Sequence, residues 1–277
     1  MGIVQMSAPP KITADDWKYY LSFDPFDYIQ KTVDDLKTQN RFFVDERFQK
    51  IIYSYAKTTG VRTLAYAYLK PSDLALFRAR IYRESDVRER FDNPEAYGMF
   101  QGFDAEGSFV PPAGKTVDPG RINPQNIRYL YTSSNEETCI LEVRAKPGEY
   151  VSVASVELIE PAVMFDVSKN YASLWDTGDR KQEWYCMFYL ALMELFQRAY
   201  QETGDYFLCQ YISEYLKNWG YDGIMFRSAV NKGYLDGGIN YTFFNYQKCK
   251  VVSSKLYYIA KMHVDTSPLI KEEEVTE

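Results

Sequence analysis

The sequence predicts an α+β fold. Long stretches repeat apolar residues at helical spacing, and short strand-like segments rich in aliphatic and aromatic residues lie between them. Strand and helix do not alternate regularly, and no internal repeat is present, so a doubly wound parallel sheet is not expected. The 277 residues suffice for one large domain, or one domain with an extension.

Residues 1–23 read as polar and irregular, with Pro9-Pro10 and Asp15-Asp16. Over 25–59, Phe26, Ile29, Val33 and Leu36, then Phe48, Ile51, Ile52 and Tyr55, recur at helical spacing, and Gly60 offers a stop. This part carries no chemical signature, and its aromatic content suggests a helical pair that covers the domain or supports a homodimer. A strand is expected over 74–82. Residues 91–119 are rich in Gly, Pro and Asp and form a long irregular segment, read either as a functional loop or as a disordered insertion. A strand follows over 129–132. Ser134 or Asn135 then caps a helix whose first turn holds Glu136 and Glu137, favourable near the positive helix end. Strands are expected over 149–158 and 251–262. A long helix spans 179–203, with Trp184, Phe188, Leu192, Leu195 and Phe196 on one face, and Gly204 ends it. A second helix over 206–219 stops at Gly220, and 223–226 and 239–244 read as strands. The expected division is an N-terminal helical extension over 1–60, a central domain over 61–262 and an acidic tail over 263–277.

Apolar residues make up 46% of the chain and charged residues 25%, as in globular proteins. The net charge of −6 argues against a nucleic-acid binder, which needs a basic face. No run of about 18 apolar residues offers a membrane span. The first residues, Met1-Gly2-Ile3-Val4-Gln5, lack the basic-then-apolar pattern of a leader, so a cytoplasmic protein is expected. Cys139, Cys186, Cys209 and Cys249 form no close pair and sit in apolar surroundings, which suits buried free thiols rather than a zinc site. No metal site is expected. The single histidine, His263, lies near the C-terminus, so acid–base chemistry through histidine is not expected.

Several residues suit anion binding or electrostatic catalysis. Arg78 lies on an apolar strand, where a guanidinium needs an anionic partner; an internal carboxylate and a bound phosphate are both open. Arg80 shares its face. Gly120-Arg121-Ile122-Asn123-Pro124 is a turn by composition. Glu142 ends an apolar helical run, to be neutralised by a neighbour such as Arg144 or turned into a pocket. Tyr131 and Ser228 read alone as sheet packing and a strand-end hydroxyl.

In combination the order is more specific. Arg78, Gly-Arg-Ile-Asn-Pro, Tyr131, Glu142, Gln210 and Glu214 on a helix, Tyr221-Asp222-Gly223-Ile224 with Ser228, and Gly238-Ile239-Asn240-Tyr241 together resemble the RES domain family, over about 74–250. The family is named for Arg, Glu and Ser, which match Arg78, Glu142 and Ser228. Tyr131 matches the family's Tyr before the Glu, and Arg121 and Asn123 match its turn. Ile122 stands where the family has Trp. Asn126 replaces a Gly, and asparagine tolerates left-handed backbone.

The resemblance implies a fold similar to ADP-ribosyltransferases, with a mixed β-sheet core and flanking helices. It also implies an enzyme that degrades NAD⁺ by phosphorolysis or hydrolysis of the nicotinamide–ribose bond. Many members are toxins with a cognate antitoxin or immunity protein. NAD⁺ is then a substrate, with no cofactor required and inorganic phosphate as a candidate co-substrate. Arg78 would hold the dinucleotide phosphate, Tyr131 would wall in or stack on nicotinamide, and Glu142 would stabilise the oxocarbenium-like state. Ser228 would bind substrate or position the attacking group. Arg80 or Arg121 would supply a second cationic subsite if phosphate is the acceptor. An ADP-ribosyltransferase acting on a macromolecule and a silent NAD-binding module are the alternatives.

Overall fold

The computed structural model describes residues 11–40, 42–57, 65–71, 73–83, 85, 98–169, 178–198, 206–231 and 238–262. Gly60, Gly204, His263, the boundary at 60/61 and the tail over 263–277 lie outside the described residues. The class is α+β, as expected. Among the described residues, eight strands form one mixed sheet: β1 (Tyr66–Leu69), β2 (Leu76–Tyr82), β3 (Leu130–Ser133), β4 (Tyr150–Leu158), β5 (Ala162–Val167), β6 (Gly223–Arg227), β7 (Ile239–Phe243) and β8 (Cys249–Tyr258). Their order is β1-β5-β6-β7-β3-β2-β4-β8. The β5–β6 pair is parallel, whereas β7–β3, β3–β2 and β2–β4 in the middle of the sheet are antiparallel.

Helices α1 (Ala14–Tyr20), α2 (Pro25–Thr38), α3 (Glu46–Lys57), α5 (Arg180–Gln197) and α6 (Phe207–Asn218) share one hydrophobic core with a face of the sheet. Tyr28, Phe48 and Tyr55 from the first helices pack their rings around Phe188 of α5. These three rings of the 25–59 stretch pack in this chain's own core, whereas Phe42 and Phe43 between the helices are exposed. The short α4 (Glu136–Glu142) packs on β2, β3 and β4 over a smaller apolar cluster that includes Ala79, Cys139 and Val153.

Helix α1 corrects the reading of residues 1–23 as irregular. Thr13 and Asp16 form a reciprocal capping box, so the acidic pair belongs to a helix start. Trp17 and Tyr20 of this helix pack on Trp184. Strand β5 was not expected either. It is buried along nearly its whole length beside parallel β6, so it lacks the alternation that marks a half-exposed strand. The long helix ends at Gln197, because Arg198 turns to extended backbone.

Within the irregular segment, residues 98–119 are ordered against the sheet. Phe100 bridges to Ser254, and the amides of Gly102 and Phe103 donate to the hydroxyls of Ser254 and Ser152. Gly102 is required here, since a Cβ would lie 2.0 Å from Ser152 Oγ. All four cysteines are buried free thiols, as expected. Among the described residues no helix is long and apolar enough to cross a membrane.

Candidate active site

Strands β2, β3 and β7 bring the expected residues to one cavity of about 610 Å³. Arg78 and Arg80 reach it from β2, Tyr131 from β3, and Asn240 from β7. Arg121 and Asn123 enter from the turn before β3, and Glu142 from the last residue of α4. Asn135 caps α4, its Oδ1 accepting the Thr138 amide at 2.8 Å. The helix ends at Glu142, with Val143 as its C-cap and Arg144 just beyond at φ 53°. This early stop leaves the carboxylate at the helix end beside the cavity.

Glu142 is held on one side only. Its Oε1 accepts hydrogen bonds from Ser228 Oγ at 2.7 Å and from Asn240 Nδ2. The Asn240 amide is fixed in turn, because its Oδ1 accepts from Ser133 Oγ at 2.7 Å, and Ser133 and Asn240 are opposite in register. Arg144 makes no ion pair with Glu142, so the carboxylate is turned to the pocket rather than neutralised by its neighbour. Ser228 departs from the expectation of substrate contact. It is 3% exposed and does not line the cavity; its hydroxyl also accepts the amides of Val230 and Asn231. Its hydroxyl instead lies against Glu142, whose orientation it helps to fix. Asn240 stood in the sequence motif without an assigned role. Its contact with Glu142 spans 98 residues of chain, beyond the reach of any periodicity.

Arg78 has no carboxylate partner among the described residues. It donates to the Tyr131 carbonyl at 3.1 Å, and its Nε is buried without a hydrogen bond. Burial first, and then the neighbouring charge of Arg80, lower its pKa to about 10. A half-buried, uncompensated cation facing a cavity is costly unless an anion completes it. Arg121 repeats the arrangement, donating to the Phe196 carbonyl at 3.0 Å with its guanidinium 5.3 Å from the Phe226 ring centre and a buried, unpartnered Nε.

Tyr131 has two roles. Its ring lines the cavity, while its hydroxyl organises the turn. That hydroxyl donates to Asn123 Oδ1 at 2.7 Å and accepts the amides of Ile122 and Asn123, both at 3.1 Å. Burial pushes its pKa up to about 12, so it stays a neutral donor near neutral pH. Asn123 Nδ2 closes the turn on the carbonyls of Asp118 and Pro124, and Gln210 of α6 donates to the Gly120 carbonyl at 2.7 Å. A Cβ on Gly120 would come 2.5 Å from Asn123 Oδ1 and 2.9 Å from the Tyr131 hydroxyl, which explains the glycine. Ile122 is fully buried in the main core, so its side chain packs the fold and does not stack in the cavity. Asn126 adopts φ 67°, as its replacement of glycine anticipated. We expect Tyr131→Phe to destabilise the chain by about 1–3 kcal/mol, because three buried groups lose one shared partner. Thermal melts and the KM for substrate should move together; an unchanged melting curve would contradict this bonding scheme.

Cys139 also lines the cavity, but burial pushes its thiol up to about 12, and its Sγ donates to the Glu136 carbonyl. A thiolate nucleophile is thus disfavoured. The ionised groups available for chemistry are one carboxylate and the guanidinium groups that line the cavity.

Residues 75–265 match the RES domain. No curated protein matches the chain. Among solved structures, a similar chain occurs in the crystal structure of the M. tuberculosis MbcT-MbcA toxin-antitoxin complex, with a TM-score of 0.40 and 12% sequence identity over 78% of this chain and 94% of that chain. The RES match covers more than half of this sequence and includes Arg78, Arg121, Tyr131, Glu142, Ser228 and Asn240. With these side chains gathered on one cavity and beneath its carboxylate, the chain belongs to the RES domain family.

Proposed function

We propose that this protein consumes NAD⁺ by cleaving its nicotinamide–ribose bond, as a phosphorylase or a glycohydrolase. The observation that carries the reading is Glu142, tied down through Oε1 and lining a cavity otherwise charged by arginines. Nicotinamide leaves as a neutral base from a cationic pyridinium, so its departure needs no general acid. Positive charge builds on the ribose, and a fixed carboxylate beside it stabilises that state without reorganisation. A cavity without a histidine among its lining residues is suited to this chemistry.

Arg78 and Arg121 are assigned to the diphosphate, whose charge would complete their unpartnered donors. Tyr131 walls the cavity and holds the turn that carries Arg121. Ser228 and Asn240 position Glu142. Family membership also proposes a cognate antitoxin or immunity protein as a partner, which co-purification from the native host would reveal.

The test is incubation of the purified chain with NAD⁺, with and without inorganic phosphate, and mass spectrometry of the products. Free nicotinamide with phosphorylated ADP-ribose identifies a phosphorylase. ADP-ribose formed regardless of phosphate identifies a glycohydrolase. ADP-ribose found on a macromolecule moves the assignment to a transferase. Intact NAD⁺, bound but unchanged in every condition including cell extract, leaves a binding module and ends the enzyme reading.

A further inference from the structure

Helix α4 carries Glu142 but is a poor platform by itself. It has seven residues, and a helix of fewer than about 12 residues is marginal without tertiary contacts. Its apolar side rests on β2, β3 and β4 through Cys139 and Ile140. Such contact is non-directional, so it does not fix the helix against rotation about its axis or sliding along it. Electrostatic catalysis needs a carboxylate fixed more closely than that. The polar side of α4 therefore decides where Glu142 stands.

On that side Thr138 and Glu142 stand four residues apart, on one face of the helix. Both are tied to the segment that follows β6, residues 228–231. The Ser228 hydroxyl donates to Glu142 Oε1 at 2.7 Å, and its oxygen accepts the amides of Val230 at 3.2 Å and Asn231 at 3.1 Å. Asn231 Nδ2 then donates to Thr138 Oγ1 at 2.9 Å. These contacts close a ring, from Glu142 through Ser228 and Asn231 to Thr138 and back along one turn of α4. The segment has a further anchor, since the Ser228 amide donates to the Gly238 carbonyl at 2.8 Å. Gly238 in turn packs on Thr138, and a Cβ there would collide with the threonine hydroxyl. Thr138 is fully buried, and neither it nor Asn231 lines the cavity, so substrate contact does not explain them.

We propose that Thr138 and Asn231 are positioning residues for Glu142, clipping the 228–231 segment to α4 so that the Ser228 hydroxyl meets the carboxylate. The reaction they serve rests on the NAD⁺ reading above. With the clip closed, two points one helical turn apart hold α4 against rotation, and Oε1 stays under its donors. Without the Thr138 acceptor, Asn231 loses its hold on the helix. The amides that orient the Ser228 hydroxyl then shift with their segment, and Asn240 is left as the fixed donor to Glu142. The consequence is misplaced charge rather than weaker substrate binding, so it falls on kcat and not on the KM for NAD⁺.

Thr138→Val is the decisive variant. It keeps the shape of the side chain and the Thr138 amide that Asn135 caps, and it removes the hydroxyl. Thr138→Ser restores the acceptor. The full chain and these variants are compared in nicotinamide release from NAD⁺ and in hydrogen exchange of the α4 amides. We expect Thr138→Val to lower kcat by about 10–100-fold with the KM for NAD⁺ within about twofold, as small displacements of a reacting group do. Thr138→Ser should return most of the rate, and Asn231→Ala should behave as Thr138→Val. In a Ser228→Ala background Thr138→Val should cost little more, because the two act in series. The α4 amides should exchange about fivefold faster in Thr138→Val, the equivalent of one hydrogen bond, and at the wild-type rate in Thr138→Ser. A wild-type kcat in Thr138→Val, whether or not its Tm falls, would overturn the clip. So would losses that multiply with Ser228→Ala. If wild type releases no nicotinamide with or without phosphate, the NAD⁺ reading falls and exchange alone decides the clip. Faster exchange in Thr138→Val but not in Thr138→Ser keeps it, and equal exchange ends it.

Discussion

Glu142→Gln is expected to reduce nicotinamide release by about 10²–10³-fold while leaving the thermal midpoint nearly unchanged. Glutamine keeps an oxygen for the Ser228 hydroxyl and the Asn240 amide, so the buried donors remain satisfied and only the charge is lost. Glu142→Ala should lose as much turnover but also destabilise the fold. It strands Asn240, 5% exposed, and Ser228, 3% exposed, without their acceptor, at a cost of about 1–3 kcal/mol. The pair of variants therefore separates electrostatic catalysis from positioning. Kinetics and melting curves on the same preparations decide it. Wild-type NAD⁺ consumption by Glu142→Gln would remove Glu142 from the reaction. Equal melting points for the two variants would contradict its structural tie to Ser228 and Asn240.

Much of the site was legible because its residues stand in local signals. A strand bearing Arg78, a Gly-Arg-x-Asn-Pro turn and an Asn-capped helix ending in Glu142 can each be read within about ten residues. Asn126 was legible in its backbone geometry, since asparagine is among the few side chains that accept φ 67°. What the sequence hid is long-range or two-sided. The Ser133–Asn240–Glu142–Ser228 chain depends on the β3–β7 register and on where α4 stops, and periodicity reports neither. The Ser228–Glu142 contact was hidden because a strand-end position says nothing of which neighbour the hydroxyl meets. The second role of Tyr131 was hidden because its hydroxyl bonds to a turn that only the folded chain brings to it. Strand β5 was missed because burial on both faces erases alternation. Helix α1 was missed because its acidic cap read as loop polarity.

Arg78→Met is expected to stabilise the free protein and weaken substrate binding at once. In the folded chain, burial lowers the Arg78 pKa to about 10 from an ordinary value of 12.5, so the unfolded chain holds this proton more tightly. The cost is complete below pH 10 and fades as pH rises toward 12.5. At neutral pH it is about 1–3 kcal/mol, reduced by the solvent that reaches the half-buried side chain through the cavity. Methionine fills similar space without the charge or the unpartnered Nε, so a gain of about 1–3 kcal/mol and a rise of several degrees in Tm should follow. The KM for NAD⁺ should rise by about 10–100-fold, the equivalent of one or two charge-assisted hydrogen bonds. Saturating NAD⁺ should then raise the wild-type Tm more than that of the variant, because the ligand completes a charge only the wild type leaves unpaired. A structural arginine predicts the reverse: a lower Tm with an unchanged KM. The opposed signs make the distinction without a catalytic readout, because a residue kept against the stability of the empty fold is explained by what enters the cavity.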